Sequence, residues 1–315
     1  MYLDKVEVKS RNKSKTYEQI SGLLMSIAPV LGFILFGFIP MLLAIYMAFC
    51  HLDGRTFDAL LSAEWTGVKN FATVVNDQTF WKSVGNTFLY SLSLPICLVI
   101  SLVVSFLLTK NVKGKKLFRT IYFIPYVCSV VAVVLMWKYV FDPNWGVVNS
   151  MLRQLGYNGE TILWTSEEKY YRVLVIVMGV WGGCGYSIIL YSAALTNVNS
   201  TFYEAAKIDG ANPFQIFFHI TLPAISPTTF YLLITGLIGS LQAFAATHML
   251  SGSSANGATG PNNAGLTMGV YIYRSAFQRA GEMGQACAAA WVLAIMIMII
   301  TIINFKVSNK WVSYD

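Results

Sequence analysis

Charge is scarce in this sequence, and its scarcity decides the class of protein. Charged residues make up 12 % of the 315 residues, whereas hydrophobic residues make up 56 % and the mean hydropathy is +0.57. An ordinary soluble domain carries about 25 % charged residues. A membrane barrel would show short segments of alternating polarity, whereas the apolar runs here are continuous. The composition therefore predicts an all-α membrane protein.

Catalytic and metal-binding patterns are also missing. The three histidines, His51, His219 and His248, are far apart, and the sequence contains no HExxH, GxSxG or Walker-type P-loop. The five cysteines form no CxxC pair, and we expect them to be small buried hydrophobic side chains. We therefore expect no catalytic residue, no metal site and no cofactor bound by this chain.

Six hydrophobic segments are long enough to cross a bilayer, which takes about 20 apolar residues in a helix. We expect these six spans at about residues 22–50, 85–109, 119–141, 171–196, 226–250 and 284–306. They leave a basic N-terminal tail at 1–21 and a short C-terminal tail at 307–315. The few charged residues of the spans, Lys138 among them, lie near span ends and not at mid-membrane, which disfavours an ion-coupled carrier.

The distribution of charge predicts which way the spans run. Together with Lys306 at the end of the last span, the two tails and the connections 110–119 and 197–225 hold 13 of the 22 Lys and Arg residues but 6 of the 15 Asp and Glu residues. The positive-inside rule places this more basic side in the cytoplasm. We therefore expect a multi-pass protein of the cell membrane with both termini cytoplasmic. The basic balance indicates contact with lipid headgroups, not with nucleic acid.

One polar segment, Tyr203 to Pro227, separates the fourth and fifth spans. Good helix formers at 204–207 are followed by Gly210, whose permissive backbone allows a helix to end. The segment therefore predicts a short helix that stops at a bend on the cytoplasmic side.

A second short helix should follow the bend. Asn212 is a candidate N-cap, Pro213 occupies the first helical position, and Gln215 at N3 completes a variant of the capping box. Because a residue that precedes proline avoids helical dihedral angles, we expect this helix to end at about Thr221, before Leu222-Pro223.

The same segment carries an extended motif. Glu204-Ala205-Ala206, then Gly210 and Ile220-Thr221-Leu222-Pro223, match the spacing EAA-x3-G-x9-I-x-LP. With this motif the chain resembles the membrane subunits of binding-protein-dependent ABC importers. Similarity to the sugar-type permeases extends over most of the chain, through Trp65–Phe71, Gly146–Asn149, Ile208–Ala211 and Tyr271–Phe277.

The resemblance implies a fold and a set of partners. It implies a type I ABC importer permease with six transmembrane helices, whose loop 203–223 docks into a separate ATPase subunit. The residues that it assigns to this ATPase coupling are Glu204, Ala205, Ala206, Asp209 and Gly210. The implied partners are a second permease (in this family usually a different chain), two copies of an ABC ATPase subunit that hold ATP and magnesium, and an extracellular solute-binding lipoprotein.

The resemblance also places the solute path on the spans that flank the loop. Aromatic faces stack on sugar rings, and hydroxyls and amides satisfy sugar hydroxyls. The candidates are Trp181, Tyr186, Ser187, Ser240, Gln242 and Phe244. Gln242 is the foremost candidate, because an amide at mid-membrane is costly unless it has a partner. Small and aromatic residues in spans also serve helix packing, and that reading stays open for each candidate.

The expected function is that of a transmembrane permease subunit of an ATP-driven sugar importer. No Arg or Lys lies in the middle of a span, which favours an uncharged oligosaccharide over an anion. The alternatives are an ABC permease for a non-sugar solute and an ion-coupled secondary carrier.

Overall fold

A computed structural model of the chain describes residues 2–109, 114–252, 259–279 and 281–313. Side chains are described from residue 18 onward, except those of Phe57 and Lys116. Most of the basic charge expected at the N-terminus and around 110–116 is therefore carried by side chains that are not described, those of Lys5, Lys9, Arg11, Lys13, Lys15, Lys110, Lys113 and Lys116.

The described chain is mainly helical. The helices are α1 (Tyr2–Phe33), α2 (Ile39–Ala48), α3 (Phe57–Leu61), α4 (Lys69–Asn76), α5 (Gln78–Ser91), α6 (Ser93–Thr109), α7 (Lys115–Val127), α8 (Val130–Val140), α9 (Val147–Gln154), α10 (Glu168–Asn197), α11 (Ser200–Ile208), α12 (Pro213–Ile216), α13 (Leu222–Ala224), α14 (Ser226–Leu241), α15 (Ala245–Ser251), α16 (Met268–Phe277) and α17 (Met283–Ser308). Five-residue π-helical segments, Ile34–Phe38 and Phe217–Thr221, join α1 to α2 and α12 to α13. Strands β1 (Cys50–His51) and β2 (Glu64–Trp65) form a small antiparallel pair.

Five segments are apolar and long enough to cross a membrane as helices. They are Glu18–Ala48, Gln78–Thr109, Glu168–Asn197, Ser226–Ser251 and Met283–Ser308. A sixth span is present if Leu117–Val127 and Val130–Val140, which meet at 101°, are counted together. The bend follows from Cys128 and Ser129, whose ψ angles of 145° and 133° are extended.

The first span stands apart from the others. None of the 18 residues of its most apolar window is buried, and Met25 and Phe36 are 80 % and 85 % exposed. Burying one large apolar side chain is worth about 1.5–3 kcal/mol, so in a membrane these side chains face lipid or another subunit.

Buried side chains form three clusters along the bundle. One joins α4, α5, α16 and α17; a second joins α8, the first half of α10 and α15; a third joins α6, the second half of α10 and the start of α14. We refer to the end of the bundle that carries α11 and α12 as the elbow end, and to the opposite end as the loop end.

A turn of chain at Thr259–Thr267, here called the strap, closes the loop end. Asn86 donates hydrogen bonds from its amide to the carbonyls of Asn263 (2.9 Å) and Leu266 (3.0 Å), and the Tyr90 hydroxyl donates to the Ala264 carbonyl (2.5 Å). These bonds fasten the strap to the second span. Two asparagines at positive φ turn the strap back on itself, a conformation that asparagine tolerates better than most residues.

Candidate functional site

The polar segment between the fourth and fifth spans forms a bent pair of short helices, here called the elbow (residues 199–224). The Asn199 side chain caps α11 by accepting from the Thr201 backbone (3.0 Å). The helix ends in a Schellman arrangement, in which Ala211 N donates to Ala206 O (2.9 Å) and Gly210 N to Lys207 O (3.2 Å). Gly210 lies at φ +76°, where a side chain is strained.

The predicted capping box of the second helix is present. The Gln215 backbone donates to the Asn212 side chain (2.9 Å), and the Asn212 backbone donates to the Gln215 side chain (2.8 Å). Two orphan donors at the helix start are thereby satisfied. The bend is fixed by backbone and cap geometry of its own.

The expected end of this helix before Leu222-Pro223 is wrong. Leu222 keeps helical angles (φ −64°, ψ −44°), and its backbone donates to the carbonyl of Phe217, five residues back. This wider π-helical turn moves the preceding carbonyls away from the ring of Pro223, which would clash with an ordinary α-helix. The helical path therefore continues through Ala224 and reaches α14 at Ser226.

The surface of the elbow is unusual for a polar segment. Glu204, Ala205, Asp209 and Gly210 are exposed, and Ala206 is half-buried. Two apolar side chains flank the bend and project from it: Ile208 is 87 % exposed and Phe214 is 76 % exposed. We did not predict these two side chains as site residues. Their position on either side of the bend was the available signal, since an exposed apolar patch marks an interaction surface.

A cavity of about 690 Å³ lies between the second to fifth spans. It extends from the loop end, where Tyr90 and Leu250 lie near the strap, to the tyrosine pair Tyr126 and Tyr186. Its described lining carries hydroxyls but no Asp, Glu, Lys, Arg or His side chain. Such a cavity suits a neutral, hydroxyl-bearing solute better than an ion.

Three of the six predicted solute-path residues line this cavity, namely Tyr186, Ser187 and Ser240. The other three are absent from its lining. Trp181 packs edge-on against another tryptophan, Trp137, at 5.6 Å between ring centroids. Phe244 stacks on His248 at 5.2 Å.

Gln242, the foremost candidate, is not part of the described cavity lining. It lies at the break between α14 and α15, its side chain is exposed, and its backbone donates to the carbonyls of Ile238 and Ser240. This chain therefore does not enclose the amide. The prediction depended on the cost of burying an amide, and that cost does not arise within the isolated subunit.

Glycines of the fourth span serve close packing and also form part of the cavity wall, which includes Gly179, Gly182 and Gly183. A Cβ on Gly179 would lie 2.8 Å from Ser93 Oγ, a Cβ on Gly183 would lie 3.1 Å from Cys97 Sγ, and a Cβ on Gly185 would overlap the carbonyl oxygen of Tyr122. A Cβ on Gly182 would meet nothing within 4 Å. Close helix contact, the alternative left open above, thus explains three of the four glycines.

Sequence reasoning identified Tyr186 but missed the aromatic neighbours of its ring and two cysteines of the cavity. Tyr126 stacks on Tyr186 (5.2 Å between centroids, 18° between planes), and Tyr231 shares a hydrogen bond with the Tyr186 hydroxyl (3.2 Å). Cys97 and Cys128 also line the cavity, and Cys128 is exposed. The expectation that all five cysteines are buried is therefore wrong at Cys128, where the third span breaks.

Comparison with known proteins agrees with this architecture. Residues 97–312 match the family described as "Binding-protein-dependent transport system inner membrane component". The probable ABC transporter permease protein YesP of Bacillus subtilis (strain 168) is 32 % identical over 308 residues, covering 97 % of this chain and 96 % of that protein. The lactose transport system permease protein LacF of Rhizobium radiobacter is 31 % identical over 304 residues, covering 96 % and 98 %.

A solved structure has the same fold. A chain from the crystal structure of a bacterial ABC transporter involved in the import of the acidic polysaccharide alginate superimposes with a TM-score of 0.75. The two chains are 26 % identical, and the match covers 91 % of this chain and 94 % of the other. The family match spans well over half of the sequence, and the fold agrees with it. The chain belongs to the family of inner membrane components of binding-protein-dependent transport systems.

Proposed function

We propose that this chain is the permease subunit of an ATP-driven importer for an uncharged saccharide. The observation that carries the proposal is the pairing of a cavity, whose described lining is largely apolar with several hydroxyls and no charged side chain, with a protruding elbow at one end of the bundle. The relative LacF supports a neutral sugar, whereas the alginate importer is named for an acidic polysaccharide. The absence of charged side chains from the described cavity lining favours the neutral class.

The elbow is the docking element for partner ATPase subunits. Glu204 supplies an exposed charge on α11, the small side chains of Ala205 and Ala206 allow close approach, and Asp209 and Gly210 form the bend. The exposed Ile208 and Phe214 add apolar surface at its tip. ATP and magnesium are bound by two copies of the ATPase, so this chain itself has no enzymatic role.

We further propose the remaining partners that membership of this family implies. The first span, with no residue of its apolar window buried, faces lipid and a second permease, which is a different chain in the usual arrangement. An extracellular solute-binding lipoprotein delivers the saccharide to the loop end. The chain is a multi-pass protein of the cell membrane, with both termini and the elbow in the cytoplasm, and no nucleic acid takes part.

Uptake into vesicles tests this proposal. The complex is reconstituted into vesicles that hold ATP inside. The binding protein is added outside, together with one labelled solute at a time: a neutral disaccharide, glycerol phosphate or a uronic-acid oligosaccharide. We expect ATP-dependent uptake of the neutral sugar, lost when Glu204→Ala and Gly210→Val are combined and unchanged in the control Tyr139→Phe, which alters an exposed side chain on α8. Uptake that needs no ATP would indicate a secondary carrier, and exclusive uptake of an anion would reject the neutral class.

A further inference from the structure

The first helix of the elbow, α11, touches the rest of the molecule through few side chains. From Ser200 to Ile208 every side chain is exposed except Tyr203 and Ala206, which are half-buried. An exposed helix attached only at its ends could swing without moving the bundle. A motion imposed on α11 therefore needs a side-chain contact if it is to reach the fifth span.

Tyr203 makes that contact. Its hydroxyl lies 3.3 Å from the hydroxyl of Thr221, which is 1 % exposed. The Thr221 hydroxyl also lies 3.4 Å from the carbonyl oxygen of Ile216, to which it donates. Because the threonine proton is directed to that carbonyl, Tyr203 is the donor to Thr221.

Thr221 stands on a helical path that leads directly to the fifth span. It is the last residue of the π-helical turn, and the chain stays helical through Pro223. Ile225 N donates to Thr221 O (3.1 Å), and Thr229 N donates to Ile225 O (3.0 Å), so backbone hydrogen bonds run from the elbow into α14. π-Helical turns occur frequently at functional sites, where they widen a helix locally.

A second contact ties the same turn to the second span. The ring of Phe217, the first residue of the π-helical turn, meets the ring of Phe106 on α6 edge-on, with 5.3 Å between centroids. Phe217 also meets Phe218 edge-on at 5.2 Å. The turn is therefore held by α6 at its beginning and by α11 at its end, and both α6 and α14 contribute to the cavity wall.

We propose that the Tyr203–Thr221 hydroxyl pair is the strut that makes α11 move together with the fifth span, and that Tyr203 is a positioning residue of the coupling step. The inference deepens the proposed function. Without this hydrogen bond, the ATPase would still bind α11. The movement of α11 would then change only the angle of the bend at Gly210 and would not reach the fifth span. The expected defect is hydrolysis without transport.

The test measures saccharide transported per ATP hydrolysed by the reconstituted complex, with binding protein and neutral disaccharide present. Tyr203→Phe removes the hydroxyl and keeps the ring, and Thr221→Val removes the other hydroxyl at nearly constant volume. We expect each to lower the ratio roughly fivefold, the factor expected for one hydrogen bond, with ATPase activity and subunit assembly within about twofold of wild type. Thr221→Ser should keep the wild-type ratio.

The double variant sharpens the result. If the two hydroxyls act as a pair, Tyr203→Phe combined with Thr221→Val should be no worse than either single change. A wild-type ratio in Tyr203→Phe would overturn the proposal. So would a parallel loss of ATPase binding and transport, because Tyr203 would then serve docking alone. Failure of the wild-type complex to transport any saccharide would instead reject the proposed function, and the inference with it.

Discussion

The bend at Gly210 gives the sharpest test of the elbow. Its φ of +76° is left-handed, and a Cβ built at this position meets nothing within 4 Å. Replacing Gly210 by alanine therefore adds no clash, and its whole effect arises from the backbone.

The size of the effect follows from the left-handed conformation. It costs a residue with a Cβ roughly 1–2 kcal/mol, and about 1.4 kcal/mol changes an equilibrium tenfold. The strain is relieved if the two hydrogen bonds that close the bend, from Gly210 N and Ala211 N, open. We therefore expect Gly210→Ala to weaken ATPase binding about tenfold, and Gly210→Val, which is β-branched, to weaken it further.

Binding of the purified ATPase to the permease in nanodiscs measures this directly. Gly210→Asn is the conservative control, because asparagine visits the left-handed region more readily, and it should bind more tightly than Gly210→Ala. Gly85→Ala is the matched control, since a Cβ there also meets nothing within 4 Å but φ is not positive. Equal affinity of Gly210→Val and Gly85→Ala would refute the argument that the bend presents α11.

Three further predictions concern packing and the cavity. Gly185→Ala should lower the free energy of unfolding in detergent by about 1–3 kcal/mol, the usual cost of overpacking, because its Cβ overlaps the backbone of the third span. Gly182→Ala, whose Cβ meets nothing within 4 Å, should cost far less. Equal melting temperatures of the two variants would contradict the packing described. Asn86→Ala should lower the free energy of unfolding by about 1–3 kcal/mol, because it leaves two strap carbonyls without their donor. An unchanged melting temperature would show that the strap is held by other contacts. Tyr186→Leu should raise the apparent KM for the saccharide severalfold, whereas Gln242→Ala, outside the cavity lining, should leave it nearly unchanged. A larger effect of Gln242→Ala than of Tyr186→Leu would contradict this prediction and place Gln242 on the solute path.

Local signals in the sequence were sufficient for the bend of the elbow and for the cap of its second helix. A glycine where a helix must end in a left-handed turn, and an Asn-Pro-x-Gln start, depend on neighbouring residues alone. The structure shows both. The π-helical turn before Pro223 was not predictable in this way, because proline normally ends a helix. In this structure the helix instead continues through a π-helical turn, and that turn is held by contacts of Phe217 with Phe106 and of Thr221 with Tyr203.

The cavity shows where sequence reasoning stopped. Tyr186, Ser187 and Ser240, predicted from residue type and span, line the cavity. The same criteria also selected Trp181, Gln242 and Phe244, which are absent from its described lining. Residue type states what a side chain can bind. Which way it points depends on the rotation of each helix and on breaks such as the one at Gln242, and both are set by packing between spans.

The sequence by itself determined the membrane class, the apolar segments and the capped bend, because hydropathy, glycine and cap chemistry act over a few neighbouring residues. The tertiary structure decided that the third span bends by 101°, that the strap closes the loop end and that Tyr203 reaches Thr221. Each of these depends on contacts between residues far apart in the chain or on the local path of a span, which a single sequence does not specify.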